Sequence, residues 1–202
     1  MISSEQHLAY IDTRPAVSFL QTPAWAKVKS GWMSQSLGWF VGDQLVGAGL
    51  VLLRKVPKVE RYLAYIPEGP DLNWQDTTHV EQALSALTDY LGNLGVFQIK
   101  MGPRVWTRRW ESESIKTAIA QEVATSLTHI QPSHINATGL KLAEQMAALG
   151  WKQPHNVGAG FGDYQPRYVF QIPLAGRTEE DLLTGFNQLW RRNIKKSEKA
   201  GV

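Results

Sequence analysis

The alternation of apolar and polar positions predicts three strands near the start of the chain. Gly42-Asp43 is typical of a two-residue hairpin turn, and Pro57-Lys58 interrupts the apolar run that follows it. The strands predicted around these breaks cover residues 34–41, 44–56 and 61–66. Because consecutive strands with such short connections pair antiparallel, this segment predicts a meander.

A helix and a fourth strand are predicted after the meander. Apolar residues recur at three- and four-residue steps as far as Leu94, behind an N-cap at Thr77 or Thr78. Gly95 ends this helix, and Val96–Met101 has the composition of a strand. A helix between two strands is typical of a crossover that makes them parallel neighbours.

Two short helices precede the meander. One covers Ser3–Ile11, and the other begins at Thr22-Pro23, where Thr is the N-cap and Pro is the first helical residue. Residues 1–103 therefore predict a complete α/β (α+β) unit, with a mixed, mostly antiparallel sheet and flanking helices.

The middle of the chain predicts a helical connection. Helical patterns cover Ser112–Leu127 and Thr138–Leu149, and a glycine-rich loop at Gly158–Gly162 follows them. Arg167–Leu174 has the pattern of a strand that opens a second unit. The predicted division is 1–103, 104–166 and 167–202.

The last predicted helix runs from Thr178 to Gly201, with Trp190 on its apolar stripe. Glu198 is the one acid beside five cations: Arg191, Arg192, Lys195, Lys196 and Lys199. Such a run is either a solvated helix face or an anion-binding site, and the pattern leaves both open. Val202 has the character of a strand residue after this helix, so we expect the chain to be cut inside its second unit.

Composition excludes several classes of site. The net charge is only +3, so the basic character is local, and the absence of cysteine excludes disulfides and thiolate chemistry. The five histidines show no metal-ligand spacing, so we expect no metal site. No long apolar run and no basic, apolar leader is visible, and the expected location is the cytoplasm.

Three motifs have both a chemical and a structural interpretation. Gln44–Gly49 has the Q-x-x-G-x-G spacing of a pyrophosphate loop, but it continues into an apolar strand, which favours close packing in a sheet. Gly158–Gly162 lacks the Lys-Ser/Thr pair of a phosphate loop, and we interpret it as a connector. Trp106 and Trp110 alternate with arginines, and two interpretations stay open: stacking on a base or sugar, and internal packing. Trp25, Trp39 and Trp190 are predicted core residues.

Four segments in order resemble one family. They are Phe19–Lys29, Gly47–Leu52, Tyr62–Pro70 and Leu189–Val202, and together they resemble the Fem (FemABX) family. Gly162–Phe170 and Leu174–Arg177 are most similar to the FemX-like members of actinobacteria. The resemblance implies two acetyltransferase-like (GNAT) subdomains, of which the first is complete here and the second is incomplete.

The resemblance also implies an enzyme activity. Family members are non-ribosomal peptidyltransferases that move an amino acid from aminoacyl-tRNA to the stem peptide of a peptidoglycan precursor, either lipid II or its UDP-linked form. The implied partners are aminoacyl-tRNA, the precursor and, peripherally, the inner face of the membrane. Aminoacyl-tRNA is the co-substrate and no further cofactor is expected. We expect this fragment alone to be inactive.

The resemblance assigns substrate-binding positions, whereas the catalytic residue stays unknown. The positions are Lys29, Phe97, Gly102, Arg191, Arg192 and Lys195. Some family members have Asp at the position of Gly102, so a carboxylate role is not available there. Two alternatives stay open: an acetyl-CoA-dependent N-acyltransferase of the same general fold, and a non-catalytic fragment that binds tRNA or precursor.

Overall fold

The computed structural model describes residues 1–153 and 165–202. These residues form two compact units, Met1–Gln165 and Pro166–Val202, and each unit is described by itself. The predicted glycine-rich connector, Gly158–Gly162, lies outside the described residues, as does the start of the Gly162–Phe170 segment.

The first unit contains five helices and six strands within its described part. The helices are α1 (Ser4–Asp12), α2 (Pro23–Val28), α3 (Thr77–Asn93), α4 (Ser112–Ala120) and α5 (Ala137–Ala148). The strands are β1 (Met33–Val41), β2 (Gln44–Lys55), β3 (Tyr62–Ile66), β4 (Val96–Met101), β5 (Arg108–Arg109) and β6 (His134–Ile135). A single 3₁₀ turn, Phe19–Gln21, lies between α1 and α2.

The main sheet confirms the predicted α/β fold class. Its strand order is β1-β2-β3-β4. The β1–β2 and β2–β3 pairs are antiparallel, and β4 is parallel to β3 after the crossover through α3. Leu52 pairs with Tyr65, and Tyr65 pairs with Lys100, so these three side chains point to the same face of the sheet.

Helix α3 forms the main core against one face of the sheet. Its N-cap is Asp76, whose carboxylate accepts a hydrogen bond from the backbone N–H of His79, so the predicted caps at Thr77 or Thr78 were one or two residues too late. An aspartate preceding the two threonines provides the stronger acceptor for the free N–H groups of the first turn. The buried residues of this core are Leu37, Val51, Leu53, Ala64, Ile66, Val80, Leu84, Leu87, Leu91 and Leu142.

The opposite face of the sheet is covered near β1 and β2 by α1 and α2. Leu50, Leu52 and Tyr65 are buried there, and Trp25, Ala26 and Trp32 pack against them partly exposed. This cluster is smaller than the α3 core. The α3 side of the sheet is therefore the more extensively covered of the two faces.

Glycines inside β2 confirm the packing interpretation of Gln44–Gly49. A Cβ on Gly49 would lie 2.9 Å from the Cβ of Pro70, and one on Gly47 would also clash with Leu72. The segment is the beginning of a strand and opens no helix, so the geometry of a pyrophosphate loop is not formed there.

Helix α5, in the segment after the main sheet, packs against α3. Leu142 of α5 joins the α3 core, and the Gln145 side chain donates a hydrogen bond of 2.6 Å to the backbone oxygen of Thr77. Helix α4 ends at Ala120 rather than at Leu127, because the chain turns at Glu122, whose φ is 56°.

The second unit corrects two predictions. Residues 167–174 form no strand, and the helix predicted as continuous is divided into α6 (Glu179–Gly185) and α7 (Gln188–Lys199). Phe186 is extended, and the Asn187 side chain caps α7 by accepting a hydrogen bond from the backbone N–H of Trp190 at 2.9 Å. Trp190, predicted in the core, stacks on Phe186 and is 61% exposed.

Candidate functional site

Lys29 lies at the end of α2 and contacts an aromatic ring. Its Nζ is 5.4 Å from the centroid of the Trp25 ring, one helical turn earlier. Phe19 makes a T-shaped contact with the same indole, with the ring centroids 5.5 Å apart and an interplanar angle of 86°. Lys29 is half-buried rather than fully exposed, since its stem lies along the indole. The contact fixes a cation beside an aromatic face.

A second cation lies on a neighbouring aromatic ring. The guanidinium of Arg54 is 5.7 Å from the centroid of the Trp32 ring, and Trp32 contacts Tyr65 with the centroids 6.3 Å apart. We call the five residues on this side of the sheet the α2-side surface: Trp25, Lys29, Trp32, Arg54 and Tyr65. The surface combines two cations with two partly exposed indoles, packed over the buried ring of Tyr65, which suits a ligand with phosphate and sugar groups.

The strand register extends the α2-side surface toward β4. Arg54 pairs with Leu63, and Leu63 pairs with Gln98. Tyr65 pairs with Lys100 one row further along. Because laterally paired residues point to the same face, a third cation, Lys100, shares the face of the α2-side surface.

A cavity lies where β3 leaves the sheet. β3 ends at Ile66, and the chain turns through Glu68 and Gly69, whose φ angles are 56° and 71°. The cavity has a volume of about 240 Å³. Its polar and charged lining residues are Ser18, Gln21, Glu68, Asp71 and Arg104. Arg104 and Glu68 approach to 3.6 Å, so a guanidinium and a carboxylate meet at the mouth of this turn.

The side chain of Gln21 bridges the gap beside this cavity. Its Oε1 accepts a hydrogen bond from the backbone N–H of Leu50 at 2.7 Å, and its Nε2 donates to the carbonyl oxygen of Pro67. Direct backbone pairing of β2 with the chain after β3 resumes between Ala48 and Asp71. The amide of Gln21, which is 2% exposed, thus takes the place of one rung of the β2–β3 ladder.

Asp71 also connects the cavity to α1. Its carboxylate accepts a hydrogen bond from Nε of Arg14 at 2.8 Å, and Arg14 lies 5.7 Å from the centroid of the Tyr10 ring. Burial raises the pKa of Tyr10 to about 12, and the charge of Asp71 acts in the same direction. Tyr10 therefore stays a neutral hydroxyl, which donates to the carbonyl oxygen of Val46 at 3.0 Å.

Phe97 and Gly102 do not lie together. Phe97 occupies an irregularity in the β3–β4 register and is 59% exposed. Gly102 follows the end of β4, five residues further on, which is about 16 Å along an extended strand. A Cβ on Gly102 would meet the end of the Gln165 side chain, so a larger residue at this position would require that side chain to move.

Arg191, Arg192 and Lys195 lie on α7 in the second unit. All three are exposed, and Arg191 and Lys195 are one turn apart on the same face. No ion pair joins the five α7 cations to a carboxylate among the described residues. The helix presents an un-neutralised basic surface.

Sequence reasoning missed most of the α2-side surface and the bridge made by Gln21. Trp25 and Lys29 are four residues apart on one helix, so their contact was accessible to helix periodicity. Trp32, Arg54 and Tyr65 come from three segments, and Gln21 contacts residues 29 and 46 positions away. Only a correct strand register would have brought these residues together.

Residues 1–153 and 165–202 contain no group of three or more His, Asp or Glu residues placed to hold a metal ion. They also contain no helix with the length and apolarity needed to cross a bilayer.

Comparison with known proteins places the chain in a family. The FemAB family profile matches residues 2–202. The chain is 23% identical to the lipid II:glycine glycyltransferase of Staphylococcus haemolyticus and 25% identical to that of Staphylococcus aureus, in each case over its whole length. It spans 42% and 41% of these two relatives.

A further relative and one solved structure match over shorter stretches. The enzyme of the same name from Staphylococcus saprophyticus is 29% identical over 106 residues, which is 52% of this chain and 26% of that protein. The crystal structure of FemX matches 60% of this chain and 30% of its own chain, with a TM-score of 0.46 and 21% identity. On the strength of the match to residues 2–202, the chain belongs to the FemAB family.

Proposed function

We propose that this chain is the precursor-binding part of an aminoacyltransferase in peptidoglycan synthesis. The reaction moves an amino acid from aminoacyl-tRNA to an amine on the stem peptide of a precursor, either lipid II or its UDP-linked form. Family membership and the staphylococcal glycyltransferases to which the chain is similar support this reaction class.

The α2-side surface is the observation that carries the proposal. A peptidoglycan precursor presents a diphosphate next to sugars. Lys29 and Arg54 offer two cations for the phosphates, and the indoles of Trp25 and Trp32 offer apolar faces for the sugar rings. In the second unit, taken by itself, the exposed cations Arg191, Arg192 and Lys195 of α7 are a separate candidate for binding an anionic group of the precursor.

The chemistry requires positioning more than activation. The amine nitrogen attacks the carbonyl carbon of the aminoacyl ester, an amide bond forms, and the ester bond to the tRNA ribose breaks. Since the ester is already activated, holding the two reactants in line supplies the main contribution, which reaches about 7–11 kcal/mol in favourable cases. The amine, with an ordinary pKa of about 10, must also lose a proton, and we assign no side chain to that step.

The acetyl-CoA-dependent alternative receives no support from the fold. Its pyrophosphate loop would have to open a helix, whereas Gln44–Gly49 begins strand β2. The non-catalytic alternative, a fragment that binds tRNA or precursor, shares the binding step with our proposal and differs in the absence of transfer.

Binding of the UDP-linked precursor tests the proposal on the 202-residue chain. Lys29→Ala should weaken binding about tenfold or more, because a charge-assisted hydrogen bond contributes about 1.5–3 kcal/mol. Charge reversal of Arg191 and Arg192 should weaken binding at low salt. Lys141→Ala, at an exposed lysine on α5, is the matched control. Unchanged affinity in the folded Lys29 variant would contradict the assignment.

Transfer is tested on the whole protein. Labelled aminoacyl-tRNA and precursor are incubated together, and the label is followed into the precursor. We expect transfer without added cofactor. Turnover of acetyl-CoA with no transfer of the amino acid would refute the proposal.

A further inference from the structure

The outer side of the Phe19–Gln21 turn and of α2 exposes large apolar groups. Phe19 is 67% exposed and Val28 is 64% exposed, although both belong to a short segment beside a packed cluster. Ala24 and Lys27 are exposed on the same helix. We call these four residues the docking face: Phe19, Ala24, Lys27 and Val28. The docking face adjoins Lys29 of the α2-side surface through the shared contacts of Trp25.

The chain segment that forms the docking face carries positive charges and no acids. The sequence contains no Asp or Glu between Asp12 and Asp43. Within the described part of the chain, neither Lys27 nor Lys29 forms an ion pair with a carboxylate. Exposed apolar groups therefore lie beside un-neutralised lysines, in a segment free of acids.

We propose that the docking face binds the headgroup layer of an anionic lipid bilayer. Segments that lie at a membrane surface bury aromatic and aliphatic side chains at the headgroup boundary, and lysines add attraction to anionic lipids. Phe19 and Val28 provide the apolar contacts, and Lys27 provides the charge. The positive charge of this acid-free segment is complementary to an anionic bilayer.

The location of the docking face makes the proposed function more specific. What the docking face says about the acceptor, lipid-linked or UDP-linked, rests on the proposed function, because it assumes that Lys29 contacts the precursor diphosphate. In a lipid-linked precursor this diphosphate lies at the headgroup level, directly beside a surface-bound α2. The docking face thus favours the lipid-linked acceptor over the UDP-linked one.

RNA fits the docking face less well than lipid does. Binding of single-stranded RNA uses open aromatic faces for base stacking together with a line of cations. Val28 and Ala24 offer no stacking surface, and Phe19 is the single aromatic residue among the four residues of the docking face. RNA is therefore an alternative for the test and no part of the proposal.

Cosedimentation of the 202-residue chain with lipid vesicles tests the proposal. One set of vesicles is phosphatidylcholine alone, and the other is an equal mixture of phosphatidylcholine and phosphatidylglycerol. We expect binding to the mixed vesicles that weakens as salt is raised. Lys27→Glu should lower the partition coefficient about fivefold or more, which corresponds to about 1 kcal/mol per lysine. Phe19→Ser with Val28→Ser should lower it about tenfold.

Matched variants elsewhere in the first unit serve as controls. Ile119 on α4 is 64% exposed, like Val28, and Lys141 on α5 is an exposed lysine. Ile119→Ser and Lys141→Glu should leave vesicle binding unchanged. All the substituted side chains are exposed, so circular dichroism should show an unchanged fold.

The outcomes separate the two proposals. The docking-face proposal would be wrong if the docking-face and control variants lost vesicle binding equally, or if the chain did not bind mixed vesicles. It would also be wrong if the chain bound a short single-stranded RNA in place of vesicles. If Phe19→Ser with Val28→Ser abolishes vesicle binding but leaves affinity for the UDP-linked precursor unchanged, the docking face is supported independently. Vesicle binding without any precursor binding would refute the proposed function and leave the docking face intact.

Discussion

Replacing Gln21 with methionine should destabilise the first unit strongly, although the side chain keeps its size. In the native structure the Gln21 amide satisfies the N–H of Leu50 and the carbonyl of Pro67, both on the buried side of the cavity turn. Methionine can do neither, so two buried backbone groups lose their partners. Each unsatisfied buried group costs about 1–3 kcal/mol, which gives about 2–5 kcal/mol after allowance for the apolar gain of methionine.

The assay for Gln21→Met is thermal and urea unfolding of the 202-residue chain followed by tryptophan fluorescence. A loss of this size should lower the unfolding midpoint by about 5–15 °C for a unit of this length. Gln131→Met, at an exposed loop position, is the control and should change the midpoint little. A loss below about 1 kcal/mol with an unchanged spectrum would refute the reasoning, because it would mean that Leu50 and Pro67 find other partners.

Two further predictions concern buried positions. Gly49→Ala should destabilise the fold by about 1–3 kcal/mol, since the new methyl group overlaps Pro70, and Gly31→Ala, with open space around it, is the control in the same unfolding assay. Burial lowers the pKa of His7 below its ordinary value of 6.5. The unfolded chain therefore binds this proton at a higher pH than the folded chain does, and the free energy of unfolding falls as the pH drops through 6.5. His7→Gln should remove that part of the pH dependence of the urea midpoint, and identical pH profiles for both proteins would contradict the buried, neutral His7.

The sheet and α3 were predictable because each has a local signal. The Gly42-Asp43 turn sets the β1–β2 pairing, and the apolar period of α3 continues for 17 residues. The N-cap of α3 was misplaced because Asp76, Thr77 and Thr78 are three consecutive residues that can each cap a helix. Local pattern therefore determined which elements exist more reliably than where they begin.

Contacts between distant segments accounted for most of what the sequence did not show. Lys29 was assigned by family resemblance, whereas its partner surface around Trp32 and Arg54 depends on strand register and on the packing of α2. The break between α6 and α7 was hidden because the apolar stripe continues across it, although Asn187 is a strong local cap. Patterning alone cannot choose between one helix and two when both bury the same face.

The break before α7 changes how its charge is distributed. In one continuous helix from Glu179, Arg191 would be the thirteenth helical residue and would lie far from the acidic first turn. Starting at Gln188, α7 instead has its own positive dipole end, and Arg191 is its fourth residue. The acids Glu179, Glu180 and Asp181 belong to the dipole of α6, while Lys196 and Lys199 lie in the last turn of α7, where its dipole is negative. The positive potential of α7 is therefore concentrated at its Arg191–Arg192 end.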